Sequence, residues 1–159
     1  SLCHAEVGSK KAYSFLKENG FNEEFAQKVK DCIFTHRFRK SAPPQSIEAK
    51  ILFDADKLDV AGAIGIARTL IYKGTVQDPL YSLNEKGEVS DGSKDDTPSF
   101  FQEYKYKLEK LYDRFYTEKG KQMALERRQA AIDFYESLYK EVSEPYNIGR
   151  QLLQSKIGK

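Results

Sequence analysis

Ile51-Leu52-Phe53-Asp54-Ala55-Asp56-Lys57-Leu58-Asp59-Val60-Ala61-Gly62-Ala63-Ile64-Gly65-Ile66-Ala67-Arg68 is the stretch on which the reading of this chain turns. Its spacing predicts one helix, in which three aspartates and a lysine interrupt an apolar, small-residue run. Position i of a helix faces i+3 and i+4, so Leu52, Asp56, Asp59 and Ala63 fall on one stripe. Ile51, Ala55, Leu58 and Gly62 form the neighbouring apolar stripe. Ala61, Gly62, Ala63 and Gly65 carry almost no side chain and let other backbones approach closely. Carboxylates on the inner side of such a helix need a cation or hydrogen bonds to offset their desolvation. Asp54 and Lys57, three apart, fit a solvated surface pair. Asp56 and Asp59 fit it worse, because their stripe also holds Leu52 and Ala63. The residues alone leave a metal or polar-network role for Asp56 open beside the solvated-face reading.

Two motif readings of the stretch fail. A calcium loop beginning at Asp54 would need Gly at its sixth position and Glu at its twelfth, where Asp59 and Gly65 stand. A dinucleotide fingerprint at Gly62 to Gly65 lacks both the preceding strand and the third glycine. The glycines are better explained as packing contacts.

Upstream, His4 or Ala5 to Glu18 reads as a helix with Val7, Ala12, Phe15 and Leu16 inward, closed by Asn19-Gly20. Asn22 caps a second helix with Glu23 and Glu24 in its first turn. Phe25, Val29, Cys32, Ile33 and His36 line one face of it, and Arg37-Phe38-Arg39-Lys40 end it with positive charge. Ser41-Ala42-Pro43-Pro44-Gln45 breaks the helical pattern. Ser46 is placed to cap the third helix, expected to run to Tyr72 and end at Gly74.

Downstream, Thr75 to Ser99 shifts to Gly, Ser, Asp, Asn, Lys and Pro, with Asp78-Pro79 and Asp91-Gly92 as turns. A loop of this length is a lid, a binding loop or an insert, with Asn84 to Asp96 the expected mobile part. Thr97-Pro98 opens a fourth helix carrying Phe101, Tyr104, Leu108, Leu111, Tyr112 and Phe115 on one face. Thr117 caps a fifth, with Met123, Ala124, Arg127, Ala131, Phe134, Leu138 and Val142 at helical spacing. Pro145 is expected to break it, leaving Ile148 to Ile157 as a short final helix. No strand pattern and no internal repeat interrupt this order. The expectation is an all-α single domain over residues 1–159 with one long loop at 75–99.

With 159 residues the chain is long enough for a core without disulfide staples. A net charge of +2 with both signs interspersed gives no reason to expect a nucleic-acid partner. No apolar run approaches a membrane span, so no membrane association is expected. The two cysteines, Cys3 and Cys32, lack disulfide-dense spacing and suit free thiols in a reducing cytoplasm. The two histidines, His4 and His36, have no second ligand at metal-motif spacing. Each is more often a surface or satisfied polar group, although an Asp on a neighbouring helix would make a cation site with them. Arg37, Arg39, Lys40 and Lys57 are candidate phosphate partners, Arg as a fork of donors and Lys as a point charge. A solvated helix end is the commoner reading of Arg37 to Lys40. There is no nucleophile elbow, phosphate-binding glycine loop or paired-cysteine zinc motif.

The run Ala49-Lys50-Ile51-Leu52-Phe53-Asp54-Ala55-Asp56-Lys57-Leu58-Asp59 resembles the last signature element of the HD-domain phosphohydrolase superfamily. Gly62 to Arg68 narrows the likeness to small bacterial and archaeal members, some of them metal-dependent nucleotide pyrophosphohydrolases. His4-Ala5-Glu6-Val7-Gly8, Thr35-His36-Arg37-Phe38-Arg39, Pro79-Leu80-Tyr81 and Thr117 to Glu141 with its Arg127 resemble that subgroup in the same order. The resemblance implies an HD-domain-like helical bundle and a metal site built from a His, a His-Asp doublet and a distal Asp. Asp56, preceding Lys57-Leu58, matches the distal Asp. The first His and the doublet have no match here, and the resemblance places them before His4. It therefore implies that this domain is N-terminally incomplete in the 159 residues.

On that resemblance the expected function is a metal-dependent phosphohydrolase of nucleotides or related phosphate esters, with nucleoside triphosphate pyrophosphohydrolysis as its narrow form. A divalent ion (Mn, Mg, Co or Ni) would activate water and neutralise phosphate charge. Asp56 is then the metal ligand and, with Lys57, the catalytic pair. Lys57, His4, His36 and Arg37 face the phosphates, and the 75–99 loop is the lid. The partner is a small-molecule phosphate, and a homodimer is compatible with the reading. The alternatives are a non-catalytic nucleotide-binding or regulatory module, and a helical partner-binding protein resting on the aromatic helices from Phe100 onward.

Overall fold

The computed structural model describes residues 4–37 and 43–157, and no strand occurs among them; a lone antiparallel bridge pairs Leu83 with Val89. The helices are α1 (His4–Glu18), α2 (Glu23–Thr35), α3 (Ile47–Leu58), α4 (Gly62–Thr75), α5 (Phe100–Glu103) and α6 (Glu118–Ile157). None is long and apolar enough to cross a membrane. The all-α expectation holds. Cys3 and the 38–42 part of the expected basic helix end and breaker, including Arg39 and Lys40, lie outside the described residues.

The chain divides into two compact units. The first takes the residues up to Leu58 together with Phe115–Gln122. Within it α1 packs against α2, and the buried residues of the two helices are the small Ala5, Ser9 and Ala26. Gly20, at φ +83°, makes the turn, and Asn22 caps α2 by accepting from Phe25 N at 2.8 Å. Tyr13 Oη donates to Glu23 at 2.6 Å, and Lys17 pairs with the same carboxylate. Phe15 and Phe25, expected inward, are exposed. The buried positions of these helices are the small ones, so the close approach that they allow leaves the phenyl rings outside.

The second unit takes Asp59–Arg114 and the chain from Met123 onward. Its core joins Phe100, Phe101, Tyr104, Leu108, Leu111 and Tyr112 to Ala124, Ala131 and Tyr135 of α6. The alanines make room for rings: Tyr104 and Tyr135 stack with centroids 4.0 Å apart, and Phe101 meets Tyr135 edge-on at 5.5 Å. The 76–99 loop is laced to this core. Phe100 N and Phe101 N donate to Pro79 and Leu80 carbonyls, Tyr135 Oη donates to the Asp91 carbonyl, and the Ser82 and Ser90 hydroxyls donate to Asp95.

Three boundaries differ from the sequence reading. The helix expected over 51–68 is two helices, broken at Asp59-Val60-Ala61. Gly62 adopts φ +72°, its N–H donates to Tyr112 Oη at 3.0 Å, and a Cβ there would lie 2.7 Å from Arg127 Cβ. At Gly65 a Cβ would lie 2.2 Å from the Val60 carbonyl, so the turn needs both glycines bare. Leu52, Asp56, Asp59 and Ala63 therefore share no stripe. Second, the cap of α5 is Ser99, whose Oγ accepts from Gln102 N, rather than Thr97. The expected fourth helix is one α-turn followed by a π-turn (Tyr104–Leu108) and a 3-10 turn (Leu111–Asp113), which still turn the aromatic face inward. Third, Pro145 does not end α6, which runs on to Ile157. Proline removes one helical hydrogen bond, but Tyr146, just beyond it, packs edge-on against Tyr81.

Candidate functional site

Every residue that the sequence nominated for chemistry belongs to the first unit. Its scaffold is α3. Ser46 caps the helix by accepting from Ala49 N at 3.1 Å, as expected. Ala49, Phe53 and Lys57, each four residues from the next, form the buried stripe, while Ile47, Ile51, Leu52 and Ala55 face outward.

Asp54 is not a surface residue paired with Lys57. It is 2% exposed and accepts three hydrogen bonds, from Tyr116 N at 2.9 Å, Thr117 N at 2.7 Å and Thr117 Oγ1 at 2.6 Å. Thr117 Oγ1 accepts in turn from Gly120 N, the cap expected of Thr117. A carboxylate thus sits at the N-terminus of α6, where unpaired N–H groups and the helix dipole favour negative charge. Gly120 leaves the space, since a Cβ there would stand 2.5 Å from Asp54 Oδ2. Asp54 is a structural anchor, and the surface-pair reading is corrected by these donors.

Lys57 pairs instead with Asp56, Nζ to Oδ2 at 2.6 Å. Its side chain is 11% exposed, against 50% for Asp56. The ammonium also lies 4.7 Å from the centroid of the Phe53 ring, a cation–π geometry. Asp56 and Lys57 therefore form one element, a carboxylate at the rim and an ammonium behind it. Asp59 serves elsewhere, in an ion pair with Arg68.

His4 and His36 are brought together, with ring centroids 6.0 Å apart. His36 Nδ1 contacts the Ile33 carbonyl. A carbonyl only accepts, so Nδ1 is the donor in this contact. Arg37 follows, half-buried, and Cys32 is a free thiol. Among the described residues no group of three or more His, Cys, Asp or Glu side chains is arranged to hold a metal ion. Asp56 supplies one carboxylate, already engaged by Lys57, and the two histidines precede Ala5 and Arg37 rather than an Asp. The donor set of these residues does not by itself fit a catalytic divalent ion.

Asp54 as a support is one of the sequence reading's alternatives, but its partners and the ring beneath Lys57 were missed. The spacing of Ala49, Phe53 and Lys57 was the available signal, since it puts the lysine on the inward stripe. The partners of Asp54 lie more than sixty residues away and left no local pattern.

No protein-family model matches the chain. The uncharacterized protein YpgQ of Bacillus subtilis is 31% identical over 134 residues, 82% of this chain and 59% of YpgQ. The chain thus spans about three fifths of the length of that relative. The crystal structure of YpgQ in complex with ADP is similar at 28% identity and a TM-score of 0.66, covering 84% of this chain and 61% of that one. An HD-superfamily hydrolase from Bacillus thuringiensis is similar at 32% identity and a TM-score of 0.61, covering 86% and 63%. The chain has an all-α, HD-domain-like helical fold.

Proposed function

We propose that this chain is part of a metal-dependent phosphohydrolase acting on nucleotides or related phosphate esters, with nucleoside triphosphate pyrophosphohydrolysis as the narrower form. The observation that carries the reading is the likeness to an HD-superfamily hydrolase, with the ADP complex of YpgQ supporting a nucleotide ligand. In this reading Asp56 is one ligand of a divalent ion of the Mn, Mg, Co or Ni kind. In the same reading the remaining ligands are a His and a His-Asp doublet, and no His-Asp doublet occurs in the sequence.

Lys57 is the phosphate contact. An ammonium has three donors: here one meets Asp56 Oδ2 and a second direction is covered by the Phe53 ring, which leaves the third for a phosphate oxygen. His4, His36 and Arg37 are the further phosphate-facing groups of the reading. The test is release of phosphate or pyrophosphate from nucleoside triphosphates by the complete polypeptide with each divalent metal. Asp56→Ala is expected to lower turnover by about two orders of magnitude or more, and full activity in that variant would sink the assignment. The second reading, a non-catalytic nucleotide-binding module, rests on the same ADP complex. Thermal stabilisation by ADP with no turnover in any divalent metal would be its signature.

A further inference from the structure

We propose that Phe53 is a positioning residue that fixes the Lys57 ammonium beside Asp56, and that Tyr116 braces Phe53 for this task. The inference rests on the phosphate-binding role of Lys57 proposed above. A lysine ammonium is strongly hydrated and carried on a flexible stem, so an unrestrained Lys57 would extend to water and lose rotamer freedom on meeting a phosphate. The structure removes that freedom in advance. The Phe53 ring lies under Nζ at 4.7 Å and takes the place of part of its hydration shell. Phe53 is itself buried, and the Tyr116 ring meets it edge-on, with centroids 5.0 Å apart and planes at 83°. Tyr116 is held through its backbone, because its N–H donates to Asp54 Oδ1 at 2.9 Å. Asp54, Phe53 and Lys57 all lie on α3, so the chain of contacts closes on the helix that carries the site. Phe53, buried behind Lys57, acts through it.

The experiment uses the complete natural polypeptide with lysine side chains labelled for NMR, together with steady-state kinetics. In the unaltered protein the Lys57 ε-methylene protons are expected upfield of other lysines through the ring current of Phe53. Phe53→Leu should abolish that shift and raise KM for the nucleotide about tenfold, with kcat changed by less than about twofold. Phe53→Tyr, which keeps a ring face, should retain both properties. Tyr116→Leu, at an exposed position and so tolerant of substitution, should show a smaller loss of the same signature. An unshifted Lys57 resonance, an unchanged KM in Phe53→Leu, or a Phe53→Tyr protein behaving as Phe53→Leu would each overturn the proposal. If no nucleotide is turned over by the unaltered protein, the hydrolase reading falls alone. The resonance and the ADP dissociation constant, measured in place of KM, then decide the positioning role.

Discussion

Thr117 holds Asp54 by both its backbone N–H and its hydroxyl, at 2.7 Å and 2.6 Å from the same carboxylate oxygen. With Tyr116 N on the other oxygen, three donors hold this buried group. Hydrogen bonds to a charged acceptor contribute more than neutral ones, and leaving their donors unpaired adds a desolvation cost. Asp54→Ala is therefore expected to destabilise the protein by about 2–4 kcal/mol, read as the shift in the denaturant midpoint. Thr117→Val, which keeps the backbone donor, should cost about 1–2 kcal/mol. A loss below the error of the measurement in Asp54→Ala would contradict the anchor.

Gly120 tests the same contact from the other side. Alanine is the better helix former, by about 1 kcal/mol, and in an open helix position the change should stabilise. Here the new Cβ would stand 2.5 Å from Asp54 Oδ2 and 2.9 Å from its Cβ. Gly120→Ala is expected to destabilise by about 1–3 kcal/mol, as an overpacked site does. A stabilised variant in thermal unfolding would show that the space is not needed.

These two positions also mark how far the sequence could be read. Asn22, Ser46 and Thr117 were legible as caps because a cap is a local arrangement within four residues. Phe101, Tyr104, Leu108, Leu111 and Tyr112 were legible as core because their spacing survives even when the α-helix gives way to π and 3-10 turns. Asp56 and Lys57 were each nominated by motif, while their ion pair with one another was not legible. The break at Asp59-Val60-Ala61 was not, because it depends on the Tyr112 hydroxyl and on the closeness of Arg127 to Gly62. Nor were the partners of the supporting aspartates, which lie as far off as Thr117 and as near as Arg68.

Alkaline pH probes the aromatic core of the second unit. Burial pushes the Tyr104 phenol up to about 12 and raises Tyr135 further, the nearby Asp91 adding to the rise for Tyr135. A phenol whose folded pKa is raised favours the folded state fully below its unfolded value near 10, and that contribution is lost as the pH climbs through the folded value. Stability should thus decline from about pH 10 to pH 12, with tyrosinate absorbance from these rings emerging only as the protein unfolds. Tyr104→Phe should flatten part of that decline. Ionisation of all tyrosines near pH 10 in the folded protein would contradict it.

The Asp56–Lys57 pair predicts a binding phenotype rather than a folding one. Lys57→Met keeps the stem over Phe53 and removes the ammonium. Loss of a charge-assisted contact should weaken ADP binding about thirtyfold, measured by calorimetry, with the thermal midpoint nearly unchanged. Equal affinity in the variant would remove Lys57 from the phosphate site.

The fit of Asp54 against Gly120 also has an evolutionary side. At residue 120 any side chain is open only to a lineage that has already given up the carboxylate at 54, and a glutamate at 54 has no path in while Thr117 and the helix backbone occupy the space. The order of change is therefore set by the clash: position 54 must change before position 120, although they stand sixty-six residues apart in the chain. Asp56, half-exposed and paired with Lys57, carries no such steric lock.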